Sequence, residues 1–438
     1  MQSMSDARVH APGMGAAPAP PAANVIERGL GDVLAEFESV TEGAVADYIP
    51  ELATVDADRF GIALASVRGY VYSAGDDEVA FTIQSSSKPF VYALAIGELG
   101  SDIVERHVGF EPSGEPFNAI SLDATTGRPD NPLINAGAIV TTSLIAGGDA
   151  DARFERIRRF LSACAGRPLA VDEAVFRSEH DNGDRNRALA FLARSAGVLG
   201  TDVETATSVY FRQCSILVTA RDLSVMAATL ANNGVNPITG ETVMHEDVAR
   251  TTLAVMAMCG MYNASGEWMV RVGLPAKSGV GGGIVAVKPG QFGVGVFSPR
   301  LDARGNSVRG VRVLERLSSA FDLHLMTHPD RDRSAVTRAV RDGGTVHLTL
   351  TGEIDFVSVE DILTSIASLL DEPRSAITTI ELDLTGVNRL RPTAERFLAA
   401  RSAALRARGI VVRLIDPFRL VHDPDLETSL EARLLDEP

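Results

Sequence analysis

Apolar residues recur with two different spacings along this chain of 438 residues. From about Val25 to about Met326, segments with helical spacing such as "LSVMAATLANNG" and "TTLAVMAMCGMY" lie between glycine-rich loops. Near the two ends of this region, "FGIALASVRGYVYSAGD" and "GGIVAVKPGQFGVGVFSP" each consist of two short apolar runs around a turn, at Arg68-Gly69 and at Pro289-Gly290. The pattern predicts two strand pairs that join into one sheet around a mainly helical middle.

A second, smaller domain is predicted near the C-terminus. The polar run "THPDRDRSAVTR" indicates a linker over residues 327–340. After it, strands are predicted in "TVHLTLTGEI", "ITTIELDLTGV" and "IVVRLID", and helices in "VEDILTSIASLLDE", "AERFLAARSAALRARG" and "DLETSLEARLLDE". This alternation predicts a compact β/α domain over residues 341–438.

Composition narrows the classes of function. With 45% hydrophobic residues the chain can bury a large core, and a net charge of −16 argues against a nucleic-acid surface. Residues 1–24 are rich in Ala and Pro, lack the apolar core of a secretory signal, and are predicted to be a disordered tail. Three widely spaced cysteines, no clustered metal ligands and no apolar run of membrane-spanning length predict a cytoplasmic protein without metal or cofactor.

Lysine is rare in this chain, and one lysine follows a serine at catalytic spacing. Only three lysines occur, against many arginines, and Lys88 forms an S-x-x-K motif with Ser85. Arginine stays protonated, whereas a desolvated lysine can act as a base. On a helix the two Cβ atoms would be roughly 5–6 Å apart. A capping serine beside a solvated lysine is the alternative, but the apolar helix that follows favours burial of Lys88.

The second lysine lies in "LPAKSGVGGG", as the triad Lys277-Ser278-Gly279. Serine enzymes of the penicillin-recognising class combine S-x-x-K with K-T-G or K-S-G on a facing strand. The triad could instead be a simple turn, and the S-D-N element of class A β-lactamases is absent. The residues therefore predict a lysine-activated acyl hydrolase, in which Lys277 is a second cation near Lys88. Lys288 is predicted to be an ordinary surface residue.

Several ordered blocks of the larger region resemble the serine-dependent glutaminases. They are "YIPELA", "IQSSSKPF", "EPSGEPFN", "NPLINAGAIV", "SEHDNGDRN", "YFRQCSI", "VMAATLANNG", "CGMYNASGEW" and "LPAKSGVGGGI". The resemblance implies an α/β fold of the β-lactamase and penicillin-binding-protein type, with an antiparallel sheet and a helical region. It also implies hydrolysis of L-glutamine to L-glutamate and ammonia, and a homo-oligomer.

The resemblance also implies a role for particular residues. Ser85 would be the nucleophile and Lys88 its base, Tyr262 would pass a proton to departing ammonia, and the N–H groups of Ser85 and Val280 would hold the oxyanion. The contacts to the head of glutamine fall on Tyr48, Asn135, Glu179, Asn186 and Tyr210. Taken singly, Asn135 could be a helix cap, Tyr48 and Tyr210 core aromatics, and Asn186 part of an acidic loop.

The C-terminal domain resembles the STAS domains of anti-sigma-factor antagonists and anion transporters, through "ELDLTGVNRLRPTAERFL". Antagonists usually carry a phosphorylated serine at this loop, whereas this chain has Arg391-Pro392-Thr393. Because proline has no hydroxyl, a phosphoserine switch is impossible at that position; Thr393 could take its place, although the helix that it starts also needs a cap. The domain is predicted to bind a protein partner. Two alternatives to a glutaminase stay open: a regulatory scaffold whose larger domain senses glutamine and which acts through its STAS domain, and a penicillin-recognising hydrolase.

Overall fold

The computed structural model describes residues 23–47, 49–114, 119, 121–327, 335–354, 356–370, 377–429 and 432–434. The chain divides into two units, Met1–Thr327 and His328–Pro438. Most of the predicted tail lies outside the described residues, and Ala23 already begins a helix. None of the helices in the described ranges is long and apolar enough to span a membrane.

The first unit is built on an antiparallel sheet with the strand order β2-β1-β7-β6-β5. Its strands are β1 (Gly61–Ser66), β2 (Val71–Gly75), β5 (Ala276–Ser278), β6 (Gly283–Lys288) and β7 (Phe292–Phe297), and a separate short pair joins β3 (Phe81–Thr82) to β4 (Leu217–Val218). Both predicted strand pairs are present, as β1 with β2 and β6 with β7. The pairing of β1 with β7 joins them into one sheet, which confirms the prediction.

Helices cover both faces of this sheet. Those of the first unit are α1 (Ala23–Phe37), α2 (Pro50–Ala53), α3 (Lys88–Leu99), α4 (Ser101–Glu105), α5 (Asn135–Leu144), α6 (Ala150–Ala165), α7 (Glu173–Asp181), α8 (Asp184–Ser195), α9 (Val203–Cys214), α10 (Ala220–Ala231), α11 (Glu246–Cys259), α12 (Ser265–Arg271) and α13 (Val308–Ala320). Alternate strand residues point to opposite faces. Ile62 therefore packs in the core with α1 and α13, while its neighbour Ala63 packs in the core that contains α10.

The three cysteines of this unit are free and buried. Cys164 and Cys259 belong to the core that contains α10, and Cys214 belongs to a smaller apolar cluster between α5, α8 and α9. Burial raises the pKa of all three thiols, that of Cys259 to about 12. They are therefore uncharged thiols in the folded protein.

The second unit has a mixed sheet with the strand order β12-β11-β10-β9-β8. Its strands are β8 (Val336–Asp342), β9 (Thr345–Ile354), β10 (Thr379–Leu390), β11 (Val411–Ile415) and β12 (Ala432–Leu434), and its helices are α14 (Phe356–Leu370), α15 (Pro392–Ala407) and α16 (Pro424–Ser429). Of the described strands of this unit, only β8 runs antiparallel to its neighbour. The predicted β/α alternation is present.

Two predictions for this unit were wrong in part. The strand β8 begins inside the segment predicted to be a linker, 327–340, because it pairs with β9 from Val336 onward. The last segment is not one helix: α16 ends at Ser429 and Ala432–Leu434 pairs with β11. Helical spacing could not reveal this partner strand. Arg391 forms an ion pair with Glu353 before α15, and the side chain of Thr393 lies outside the described part of the chain.

Candidate active site

Ser85 lies on a strained turn between a short strand and a buried helix. A 3₁₀ turn at Gln84–Ser87 follows β3, and the N–H of Lys88 donates to the Ser85 carbonyl as α3 begins. Gln84 has a φ of 49°, a left-handed conformation that costs on the order of 1–3 kcal/mol in a residue other than glycine. The turn is held by Ser87, which donates to the Gln84 carbonyl at 2.8 Å and accepts from Gln213 at 2.9 Å. The fold thus fixes the direction of the Ser85 side chain.

Lys88, the first residue of α3, is almost fully buried, with 1% of its surface exposed. Its Nζ donates to Asn135 Oδ1 at 2.7 Å and to the Leu133 carbonyl at 3.3 Å. Burial lowers the pKa of Lys88 to about 8, while the nearby Glu179 acts against this shift. At pH 7 about a tenth of this amine is therefore neutral, whereas the solvated-lysine alternative would leave it almost fully charged.

Asn135 connects this amine to two other predicted residues. Its Nδ2 donates to Asn186 Oδ1 at 3.0 Å, and the hydroxyl of Tyr210 donates to its Oδ1 at 3.4 Å. The residue before α5 is Ile134, whose side chain makes no capping bond, and the Asn135 side chain points into this network instead. The structure therefore gives Asn135 a place at the site and not at a helix cap.

Glu179 is a buried carboxyl group on α7, with 8% of its surface exposed. Desolvation raises its pKa to about 7, against a hydrogen bond from Gln84 and the charge of Lys88, which both lower it. Gln84 also donates to Thr82 Oγ1 at 3.3 Å. A carboxyl group in this environment is poised to receive a cation, because a bound ammonium would replace the water that burial removed.

These side chains surround a cavity of about 380 Å³. Five predicted residues line it, namely Ser85, Asn135, Glu179, Asn186 and Tyr210, and the sequence analysis did not identify the other lining residues, which are Ile49, Gln84, Asn182, Gly183, Arg185 and Cys214. Tyr48 lies outside the described residues, next to Ile49. Of the described side chains, no group of three or more His, Cys, Asp or Glu could hold a metal ion.

Tyr262 follows α11 along the chain and brings its phenol to Ser85. It begins a second 3₁₀ turn, Tyr262–Ala264, with a φ of 57°, and its side chain is 7% exposed. Its hydroxyl donates to the Ser278 carbonyl at 3.0 Å and hydrogen-bonds the Ser85 side chain. Burial raises the pKa of Tyr262, and the bond with Ser85 lowers it. The phenol is therefore protonated at rest and next to the nucleophile.

Two glycines let the strand that carries the K-S-G triad approach Ser85 closely. A Cβ atom at Gly279 would lie 2.9 Å from the Ile83 carbonyl oxygen, and one at Gly281 would lie 2.5 Å from that of Thr82. Val280 lies between them. In the described backbone hydrogen bonds, the N–H groups of Ser85 and Val280 donate to no acceptor. Both amides are thus available to an oxyanion beside Ser85.

Of the other two lysines, Lys277 lies near Lys88 as predicted, and Lys288 differs from its prediction. Lys277 is fully buried near Lys88, but its Nζ lies over the ring of Tyr262, 3.8 Å from the centroid. Lys288 is not an ordinary surface residue, because it is half-buried and donates to the Leu323 carbonyl at 2.8 Å. Sequence spacing gives no sign of these contacts between distant segments. Gln84 could have been identified as a site residue, because it is a polar residue directly after an apolar run and next to Ser85.

Comparisons with known proteins cover both units. A sequence model of the glutaminase family matches residues 43–326, and one of the STAS domain matches residues 337–424. The glutaminase of Corynebacterium glutamicum is 44% identical over 396 residues, which are 90% of this chain and 95% of that relative. Glutaminase 1 of Bradyrhizobium diazoefficiens is 55% identical over 309 residues, which are 70% of this chain but only 50% of that relative's length.

Solved structures give the same result. The structure of Mglu is 44% identical, covers 90% of this chain and 99% of its own, and superposes with a TM-score of 0.83. The structure of the probable glutaminase ybaS is 42% identical, covers 70% of this chain and 99% of its own, and superposes with a TM-score of 0.68. Mglu has also been solved in its glutamate form, with a TM-score of 0.82 to this chain.

Proposed function

This chain belongs to the glutaminase family, and on that premise we propose that it hydrolyses L-glutamine to L-glutamate and ammonia through an acyl-enzyme on Ser85. It consists of a glutaminase domain and a C-terminal STAS domain, and the predicted fold class is confirmed. The proposal concerns the substrate, the chemical steps and the residues that perform them.

The proposal that Lys88 is the general base rests on its hydrogen bonds. A neutral amine has two N–H donors and one lone pair. The carbonyl of Leu133 and the Oδ1 of Asn135 accept from Nζ, so the lone pair is left for a proton from Ser85. The pKa of about 8 supports this role, because a general base works best when its pKa is near the working pH.

Substrate recognition follows from the charges in the cavity. The buried carboxylate of Glu179 would bind the α-ammonium of glutamine. Asn135, Asn186 and Tyr210 offer amide and phenol donors for the α-carboxylate, and Tyr48 is assigned to the same group by resemblance. The similar protein Mglu was solved in its glutamate form, which supports glutamate as the product here.

The reaction would then run in two halves. Ser85 Oγ transfers its proton to Lys88 Nζ and bonds to the side-chain carbonyl carbon of glutamine, whose oxygen becomes an oxyanion between the N–H groups of Ser85 and Val280. Tyr262 gives its phenol proton to the leaving nitrogen, the C–N bond breaks, and ammonia departs. Lys88, protonated in the first step, returns a proton to the phenolate. Water then attacks the acyl-enzyme, one of its protons returns to Ser85, and glutamate is released.

Steady-state release of glutamate from L-glutamine tests the proposal. Ser85→Ala should lower kcat by on the order of 10⁴-fold or more, since the nucleophile is lost. Lys88→Arg should lower it by about 10²–10⁴-fold, because arginine cannot take the serine proton. Lys288→Arg is the matched control and should keep the rate. An arginine variant of Lys88 with an unchanged rate would remove Lys88 as the base.

We also propose that the chain forms a homo-oligomer, that its STAS domain binds a protein partner, and that it works in the cytoplasm. The three free, buried cysteines support a reducing compartment. Sedimentation of the full chain and of a chain ending at Thr327 tests the homo-oligomer and shows whether the STAS domain contributes to it. A monomer at all concentrations would exclude the homo-oligomer.

A further inference from the structure

The mechanism above leaves one buried charged side chain unused. Lys277 lies on β5 with 0% of its surface exposed. Its Nζ donates to the Ser278 carbonyl at 2.6 Å, and no ion pair to a carboxylate occurs for it among the residues that the structure describes. Burial and the neighbouring Lys88 lower its pKa well below the usual range.

A fully buried lysine that pairs only with a backbone carbonyl does not stabilise the fold. Removing an amine from water without a carboxylate partner is unfavourable, and an apolar side chain of similar length would fill the same space without that cost. Two of the three lysines are nevertheless buried within this one site, while the chain uses arginine almost everywhere else. A function for the amine explains its presence better than packing does.

The contacts of Lys277 point to Tyr262. Its Nζ is 3.8 Å from the centroid of the phenol ring. The two side chains also share an acceptor, since the Ser278 carbonyl receives the Tyr262 hydroxyl at 3.0 Å and the Lys277 amine at 2.6 Å. Two donors on one carbonyl fix the phenol oxygen between Ser278 and Ser85.

We propose that Lys277 is a positioning residue that holds the phenol of Tyr262 in place to protonate the leaving nitrogen. This inference rests on the proposed function, and it assigns Lys277 to the departure of ammonia and not to the activation of Ser85. Lys277 is not among the residues that line the cavity, and its contacts with the Tyr262 ring and the Ser278 carbonyl give it a role through Tyr262.

The shared carbonyl explains how the amine helps the transfer. When the phenol gives its proton away, the Ser278 carbonyl loses one donor but keeps the Lys277 amine, so no buried acceptor is left unpaired. The amine hydrogens carry positive partial charge in either protonation state, and their place over the ring favours the phenolate over the phenol. Both effects arise only during proton transfer, so they act on kcat and not on substrate binding.

Two substrates with different leaving groups separate this role from a structural one. Ammonia must be protonated as it leaves, whereas the p-nitrophenolate of a γ-glutamyl p-nitrophenyl ester leaves without a proton. Lys277→Met should lower kcat for L-glutamine about 10–100-fold with KM within about twofold, and should lower ester hydrolysis less than about threefold. Lys288→Met, a matched change on the neighbouring strand β6, should alter neither rate.

A double-mutant cycle completes the test. Tyr262→Phe should show the same difference between the two substrates, and adding Lys277→Met to it should cost little more, because both changes remove one function. The methionine variant should unfold at the same or a higher temperature. If it does not fold, Lys277→Gln gives the same comparison.

Equal losses on both substrates, additive losses in the double variant, or an unchanged rate would overturn the inference. A wild-type protein that turns over neither substrate, or a Ser85→Ala variant that keeps its rate, would instead overturn the proposed function.

Discussion

Lowering the pH from 8 to 6 should weaken the binding of L-glutamine about tenfold, because Glu179 loses its charge over this range. Desolvation raises the pKa of Glu179 to about 7. A carboxyl group with this pKa is about 90% ionised at pH 8 and about 10% ionised at pH 6. The α-ammonium of the free amino acid stays charged, so only the ionised fraction can pair with it. The loss corresponds to about 1.3 kcal/mol of binding free energy.

Calorimetric titration of the Ser85→Ala variant with L-glutamine measures this binding without turnover. The dissociation constant should rise as the pH falls through 7. At pH 7 about half of the Glu179 side chains are protonated in the empty site, and the bound ammonium favours the ionised form. Binding should therefore release about half a proton per molecule, which titrations in buffers of different ionisation enthalpy detect.

Glu179→Gln in the same background is the control. It should bind more weakly at pH 8, since the ammonium loses its counterion, and it should lose most of the pH dependence, so that the two variants converge toward low pH. In the glutamine variant Lys88 loses a charge that raises its pKa, so the pH dependence that remains in this variant belongs to Lys88. The same pH dependence with and without the carboxyl group would refute the role of Glu179.

Three further predictions follow from the packing. Gly279→Ala should lower kcat at least about tenfold, because its Cβ would lie 2.9 Å from the backbone oxygen of Ile83, whereas Gly266→Ala, with open space around it, should keep the rate in the same assay. Arg309→Met should destabilise the fold by about 2–4 kcal/mol in urea unfolding, since the buried guanidinium donates to Ser298 and to two carbonyls. Arg312→Met, at a half-exposed arginine, should cost less than about 1 kcal/mol. A chain that ends at Thr327 should keep kcat within about twofold. The reason is that a glutaminase from Nostoc matches 296 residues of this chain along 89% of its own length. A large loss of kcat would show that the STAS domain controls the chemistry.

Local patterns predicted much of the fold. The pairs β1–β2 and β6–β7 of the first unit could be identified from apolar runs around a turn that contains glycine, because such turns are decided by a few neighbouring residues. The sequence analysis also predicted that the two strand pairs belong to one sheet, and the pairing of β1 with β7 is the contact that joins them. The last segment was harder: its helical spacing is real as far as Ser429, but pairing with β11 decides the conformation of 432–434.

The site was predictable where one short motif contains the chemistry, and not where distant segments meet. Ser85 and Lys88 are three residues apart, so their relation could be argued from spacing. The contact of Lys277 with Tyr262, the hydrogen bond of Gln84 with Glu179 and the place of Cys214 on the cavity wall depend on how separate elements pack. The left-handed backbone of Gln84 and Tyr262 was equally hidden, because neither residue type favours it.

Because the three thiols are buried, their rate of chemical labelling reports transient opening of the native protein. Alkylating reagents need an accessible thiolate, and burial denies both access and charge to the three cysteines. Labelling therefore measures how often each region exposes its interior. Cys214 lies on the wall of the cavity, whereas Cys164 lies in the core that contains α10. Mass spectrometry of the labelled peptides can therefore measure the rate of local opening at the cavity separately from the rate of unfolding of the whole domain.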